Sequence, residues 1–285
     1  MFRSLNGPAL GLSLPIDRLL ALASAHGFEG LDVDISELVG LADHTSVQAL
    51  HDRFSAGGVR PGAWGVPVDH QGDENTYQAA LRALPRAAAL AQSLGTPWCA
   101  TVIRPFSAER DYDANMEFHV ARLRPVARIL ADHGCRLGLE FIGPKTLREG
   151  HPYTFISTIG GALDLGAQLG TDNVGLLLDA YHWYTSHATL ADIQRLTAAD
   201  IVYVHVNDAV AGRSIDEQMD LERDLPGATG LIDSAGFLRA VADTGFDGPV
   251  AVEPFSEAVL AMEPDERARA AGASLARVWA AAGLP

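Results

Sequence analysis

Two rhythms of apolar and polar positions alternate along the chain. Short continuous apolar runs bounded by Gly, Asn or Pro read as strands buried on both faces, as in a parallel sheet. Between them, apolar residues recur at helical spacing behind capping or Pro signals. The strand-like runs go from Ser4 to Gly11, Gly30 to Asp34, Val59 to Val66, Trp98 to Ile103, Arg136 to Ile142, Val174 to Asp179, Ile201 to Val206 and Pro249 to Val252. The helical stretches go from about Pro15 to Ala25, Ser46 to Ala56, Asn75 to Leu94, Asp113 to His133, Ile156 to Leu169, Leu190 to Leu196, Ser234 to Thr244 and Asp265 to Ala282. Eight strand–helix repeats predict an α/β fold, a (β/α)8 barrel formed as a single domain over residues 1–285. The rival is a doubly wound open sheet, which normally carries a Gly-rich turn after an early strand; none is present.

The last four strands each stop at a polar residue. Glu140 lies near the end of the fifth strand, Asp179 ends the sixth, His205 lies near the end of the seventh, and Glu253 ends the eighth. In a barrel, the carboxyl ends of consecutive strands surround one mouth, so these four side chains can converge. Any one of them alone reads as a loop, capping or core residue; four in consecutive strands read as a site. Three carboxylates and an imidazole form a hard donor set suited to one divalent metal ion. Mn²⁺ is the first choice, with Mg²⁺, Co²⁺ or Zn²⁺ as alternatives. Without a cation, three carboxylates in a partly dry pocket repel one another and favour protonation.

The composition of the 285-residue chain changes the picture in what it excludes. It is 48% hydrophobic and 20% charged, enough for a large core. A formal charge of −15 with no basic run opposes nucleic acid as a partner. No apolar run approaches the roughly 20 residues of a membrane span, and the N-terminal residues lack a signal-peptide pattern. Cys99 and Cys135, set in apolar stretches, read as reduced core thiols, so a cytoplasmic location is expected.

The motifs LGLEF, LLLDAYH, VHVND and VAVEPF together resemble the xylose isomerase-like TIM-barrel superfamily, in its sugar phosphate isomerase/epimerase branch. The resemblance spans essentially the whole chain. It implies that Glu140, Asp179, His205 and Glu253 hold the metal, and that Glu140 and Glu253 also act as acid and base on opposite faces of the substrate. It implies that His182, three residues after Asp179, binds substrate hydroxyls. Relatives often carry an arginine six residues after the strand-seven histidine; here that position is Ala211, and Arg213 is the nearest arginine. The expected activity is isomerisation or epimerisation of a small keto-sugar or inosose (a cyclitol ketone) through a metal-stabilised enediolate. The absence of a Gly-rich anion cradle after the eighth strand favours an unphosphorylated substrate.

Further expected contacts are Trp64, Arg104 and Lys145, the only lysine, each of which also reads as rim packing or a solvated loop charge. Tyr181, Trp183 and Tyr184 are expected to wall the pocket. The long loop from Asn207 to Asp233 is expected either to close over substrate or to reach a neighbouring subunit in a homo-oligomer. The competing readings are a lyase on the same metal site, a dehydratase or a C-glycoside-cleaving enzyme, and a non-catalytic sugar-binding barrel. An apurinic endonuclease shares the Asp-x-x-His motif but needs further histidine ligands and a DNA-compatible surface, which this acidic chain lacks.

Overall fold

The computed structural model describes residues 1–285. Eight parallel strands form the barrel: β1 (Phe2–Leu5), β2 (Gly30–Leu31), β3 in two pieces (Arg60–Pro61 and Trp64–Gly65), β4 (Trp98–Ile103), β5 (Arg136–Phe141), β6 (Val174–Asp179), β7 (Ile201–Val206) and β8 (Pro249–Val252). The first piece of β3 pairs with β2, and the second pairs with β4. Because β3 stands at both ends of the ladder, the sheet closes on itself. The α/β barrel read from the alternation is the fold observed.

Two apolar compartments result. Inside the ring, Ala63, Ala100, Leu177, Tyr203 and Ala251 fill the bore. Outside it, 67 buried residues knit the strands to the surrounding helices. Helix Glu74–Leu94 shows how the sequence does this. Asp73 caps it by accepting from Asn75 N and Thr76 N, and its inner face buries Tyr77, Leu84, Ala88 and Ala91 at helical spacing. Gly95, in the left-handed region at φ 70°, turns the chain out toward β4.

The structure departs from the sequence pattern in the first third of the chain and again behind β6. β1 stops at Leu5, and Pro8–Leu10 forms a 3₁₀ turn, because Pro8 has no N–H to offer a ladder. β2 stops at Leu31, and Asp34 caps an unforeseen helix, Ile35–His44, accepting from Ser36 N and Glu37 N. A second unforeseen helix, Ala180–Thr185, starts directly behind β6. Cys99 and Cys135 are both free and buried, as expected. No helix is long and apolar enough to cross a membrane.

The ladder register sets the four strand ends level. Asp179 and His205 are Cα partners, Val206 pairs with Val252, and Glu253 N donates to Val206 O at 3.1 Å. On the other side Leu139 pairs with Leu176, which puts Glu140 near the same height. A one-residue slip would turn each of these side chains away from the bore.

Behind the loops after β3 and β4, His70 and His119 pack edge to face with ring centroids 5.3 Å apart. Burial pulls both imidazoles down to about 4. The charges facing them are Asp69, Arg104 and Arg122 around His70, and Arg110 beside His119. Since the folded-state values lie below the unfolded value near 6.5, the unfolded chain takes up protons first as pH falls. The stability they confer is therefore complete above about pH 6.5 and drains away toward pH 4. Urea denaturation should show a loss of about 1–2 kcal/mol per histidine between pH 7 and pH 5. His119→Gln should flatten that slope, and an unchanged slope in the variant would clear the pair of responsibility.

Candidate metal centre at the barrel mouth

Asp179 is the last residue of β6 and the cap of the helix that follows. Its Oδ1 accepts from Tyr181 N at 2.6 Å and His182 N at 3.1 Å, which fixes the carboxylate plane and turns Oδ2 into the mouth. There His205 Nδ1 stands 3.6 Å from Asp179 Oδ2, 3.7 Å from Glu140 Oε1 and 3.4 Å from Glu253 Oε2. One donor atom from each of the four residues lies within 4.8 Å of every other. Oxygen and nitrogen donors held roughly 2.0–2.2 Å from one ion are at most about 4.4 Å apart, so small side-chain adjustments suffice.

Hydrogen bonding gives an independent test of fit. Glu140 Oε1 and both ring nitrogens of His205 are buried with no hydrogen-bond partner. Buried polar atoms are almost always satisfied, so orphaned donors converging on one point suit a missing partner of positive charge. The residues present fit a divalent ion.

The carboxylates are not equivalent. Burial raises Glu140 to about 7, His205 drawing it down while Glu253 and Asp179 push it further up. Burial acts on Asp179 too, but Arg223 and His182 outweigh it and hold that carboxyl below the usual range. Glu253 is likewise lowered, burial being offset by His205 and then Arg223. His205 is held well above an ordinary imidazole, the opposing effect of burial being outweighed chiefly by Glu253. Loading a cation would therefore expel protons.

Arg223 is the group that sequence reasoning missed. It arrives on the loop after β7, is 4% exposed, and lies between the rings of Tyr181 and Phe255 at 4.7 and 4.9 Å. Its Nη1 donates to Asp179 Oδ2 at 2.9 Å and to Glu253 Oε2 at 2.8 Å. Its Nη2 meets His182 Nε2 at 3.0 Å and Asp220 Oδ1 at 3.1 Å. The loop folds inward to deliver it: Asp208 accepts from Thr229 N, Gly230 N and Ile232 N, and a bridge joins Asp208 to Asp224.

A family model described as Xylose isomerase-like TIM barrel matches residues 20–278. The chain belongs to that family. An inosose isomerase of Halalkalibacterium halodurans is 25% identical over 237 residues, 81% of this chain and 79% of its own. A ketose 3-epimerase of Arthrobacter globiformis is 24% identical, over 82% of this chain and 76% of its own. A 3-dehydroshikimate dehydratase of Pseudomonas putida is 26% identical over 90% of this chain but 38% of its own. A xylose isomerase domain protein of Alicyclobacillus acidocaldarius superposes with a TM-score of 0.88 at 30% identity, over 99% of each chain.

In this member of the family, a cavity of about 530 Å³ opens over the donors and is lined by Glu140, His205 and Glu253 together with Asn6, Asp32, Trp64 and Tyr203. Trp64 lines it with its indole N–H tied to Thr96 O at 3.0 Å. Asp32, also unforeseen, lies half-buried below, accepting from Ser4 Oγ, Ala63 N and the Tyr203 hydroxyl. His182 is buried beside the donors, and Gly143 N donates to its Nδ1 at 3.2 Å. A side chain at Gly143 would strike His182 O, so the close approach requires glycine.

Three expected contacts lie elsewhere. Arg213 pairs with Glu222 at 2.6 Å on the loop surface, because its backbone leaves the mouth before Arg223 enters it. Lys145 is half-exposed between Asp216 and Glu149. Arg104 faces a separate cavity. The expected aromatic wall is also displaced: Tyr181 supports Arg223, and its hydroxyl donates to Met219 O, while Trp183 donates to Thr189 O.

Removing Arg223 would leave Asp179 and Glu253 with His205 alone to compensate them. Arg223→Met should lower unfolding free energy by about 3–5 kcal/mol in chelator-treated protein, read from urea midpoints. A loss under about 1 kcal/mol would mean that Arg223 does not carry this charge.

Proposed function

We propose that the protein is a divalent-metal-dependent isomerase or epimerase of a small unphosphorylated keto-sugar or inosose. The observation that carries this reading is the convergence of one donor atom each from Glu140, Asp179, His205 and Glu253 within 4.8 Å, which sets two glutamates at one site. Two carboxyls with separated proton affinities at one site are suited to acid and base work. Glu140, Asp179, His205 and Glu253 would hold the ion, with Mn²⁺ the first to test and Mg²⁺, Co²⁺ or Zn²⁺ the alternatives. The ion would supply Lewis-acid polarisation of a substrate carbonyl.

The rest of the chemistry belongs to the side chains. Glu253, held ionised, removes the proton from the carbon beside the carbonyl. Glu140, the carboxyl on the other side of the cluster, returns one. Such groups typically contribute about 10²–10⁴-fold each. His182 Nε2 and the Arg223 guanidinium orient substrate hydroxyls, and Trp64 offers a flat apolar face to the ring carbons. Asn6, Asp32 and Tyr203 supply hydroxyl-binding polarity at the floor.

One observation favours a second reading. The match to a dehydratase over 90% of this chain keeps β-elimination open, since it too can begin with proton removal beside a carbonyl. Incubation with keto-sugars and inososes in D₂O separates the two: isomerase or epimerase action puts deuterium at the carbon beside the carbonyl without loss of water. Glu253→Gln should lower that exchange by at least about 100-fold while the circular dichroism spectrum stays unchanged. Asp179→Asn should weaken Mn²⁺ binding in calorimetry. Undiminished exchange in Glu253→Gln would remove Glu253 from the reaction, and unsaturated products without exchange would favour the lyase.

A further inference from the structure

A second cavity, about 410 Å³, opens between the loops that follow β3 and β4. Its wall carries Arg104, Arg110 and Arg122 against one acid, Glu109. In a chain with 36 acidic and 21 basic residues, a wall of random composition would hold more acids than bases. Each guanidinium lies near an aromatic ring: Arg110 is 3.9 Å from the Phe118 centroid, Arg122 is 4.2 Å from that of Tyr77, and Arg104 is 5.8 Å from that of Phe106. The rings hold the cations in place without neutralising them.

Neutralisation by protein groups is sparse. Arg122 Nη2 meets Glu74 Oε2 at 2.9 Å, but its Nη1 is buried with no hydrogen-bond partner. Arg110 donates through Nε to Asn115 Oδ1 at 3.0 Å, and its nearest carboxylate is the exposed Glu109 at 3.7 Å. Ser107 Oγ accepts from Glu109 N and Arg110 N, which fixes the turn that carries Arg110. Behind the wall, His70 and His119 are kept neutral, and the Nε2 atom of each is buried and unpartnered. Three guanidiniums therefore face two carboxylates, Glu74 on Arg122 and the exposed Glu109 beside Arg110, and Arg104 has no carboxylate partner.

We propose that this cavity is an anion-binding site for the oxyanion of a small phosphorylated or carboxylated molecule. Guanidinium forks match the paired oxygens of both groups, and an anion among three of them gains charge-assisted hydrogen bonds. The volume exceeds that of a bare ion, so the group bearing the anion enters as well. Because Arg104 follows β4 directly, the site stands at the same end of the barrel as the donor cluster but shares none of its residues.

Calorimetric titration of the full chain tests this, with inorganic phosphate in one arm and malonate in the other, at ionic strength fixed by chloride. At least one arm should saturate at one site per chain, and the arm that does so identifies the anion class. Arg104→Gln and Arg110→Gln should each weaken that binding about tenfold or more. Arg122 is spared as a first target because Glu74 and Tyr77 give it a structural role. Glu253→Gln should leave the affinity unchanged, which places the anion away from the barrel mouth. The proposal is overturned by the absence of saturable heat in both arms, by binding that survives both arginine variants, or by binding that Glu253→Gln abolishes.

Discussion

The mouth of this barrel depends on one electrostatic constraint: three carboxylates must share a dry space only a few ångströms wide. Two unit charges about 4 Å apart repel by about 4 kcal/mol at an effective dielectric of 20, so three cannot remain ionised without cations among them. Arg223 meets this demand on one side only. Its Nη1 joins Asp179 to Glu253 and leaves Glu140 outside the fork. Burial of Glu140, and His205 followed by Arg223 beside Glu253, separate the proton affinities of the two glutamates.

The rest of the architecture keeps that arrangement from relaxing. Ladder register levels the four strand ends, and the short helix behind β6 takes one Asp179 oxygen as its cap so that only the other faces the mouth. The loop after β7 folds back on the Asp208 carboxylate, and Gln218 is buried within it, its amide exchanging hydrogen bonds with Val210 N and O. An arginine delivered by a loop this well tied has little freedom to swing out. The rings of Tyr181 and Phe255 narrow that freedom further.

The barrel and the four converging donors were legible in the sequence because both rest on local rules: apolar runs of strand length, and a polar residue where each run stops. The same rule applied to the second strand, read as Gly30 to Asp34, points to Asp34, which caps a helix, and passes over Asp32 because the strand stops at Leu31. Arg223 followed no such rule. Its position depends on a long loop bending through Leu221, at φ 62°, and on tertiary bonds to Asp208, so sequence proximity to β7 pointed instead to Arg213. Lys145 illustrates a related limit. As the only lysine it stands out in the composition, but partners at Asp216 and Glu149, brought to it by folding, satisfy it at the surface.

The two halves of the barrel divide the labour of the mouth. β5 to β8 supply the four donors, while Asn6, Asp32, Trp64, Thr101 and Val102, which line the facing wall, come from the chain as far as β4 and the turns beside it. A change on the first half alters what the cavity admits without disturbing the charge balance among Arg223, Asp179 and Glu253. Substitutions on the second half disturb that balance at once. A barrel built this way can change substrate over its first half while its charged centre is kept, so the residues that distinguish one substrate from another belong on the side facing Trp64 and Asp32. The donors themselves suit both reactions proposed for the mouth, since each begins by removing a proton beside a carbonyl.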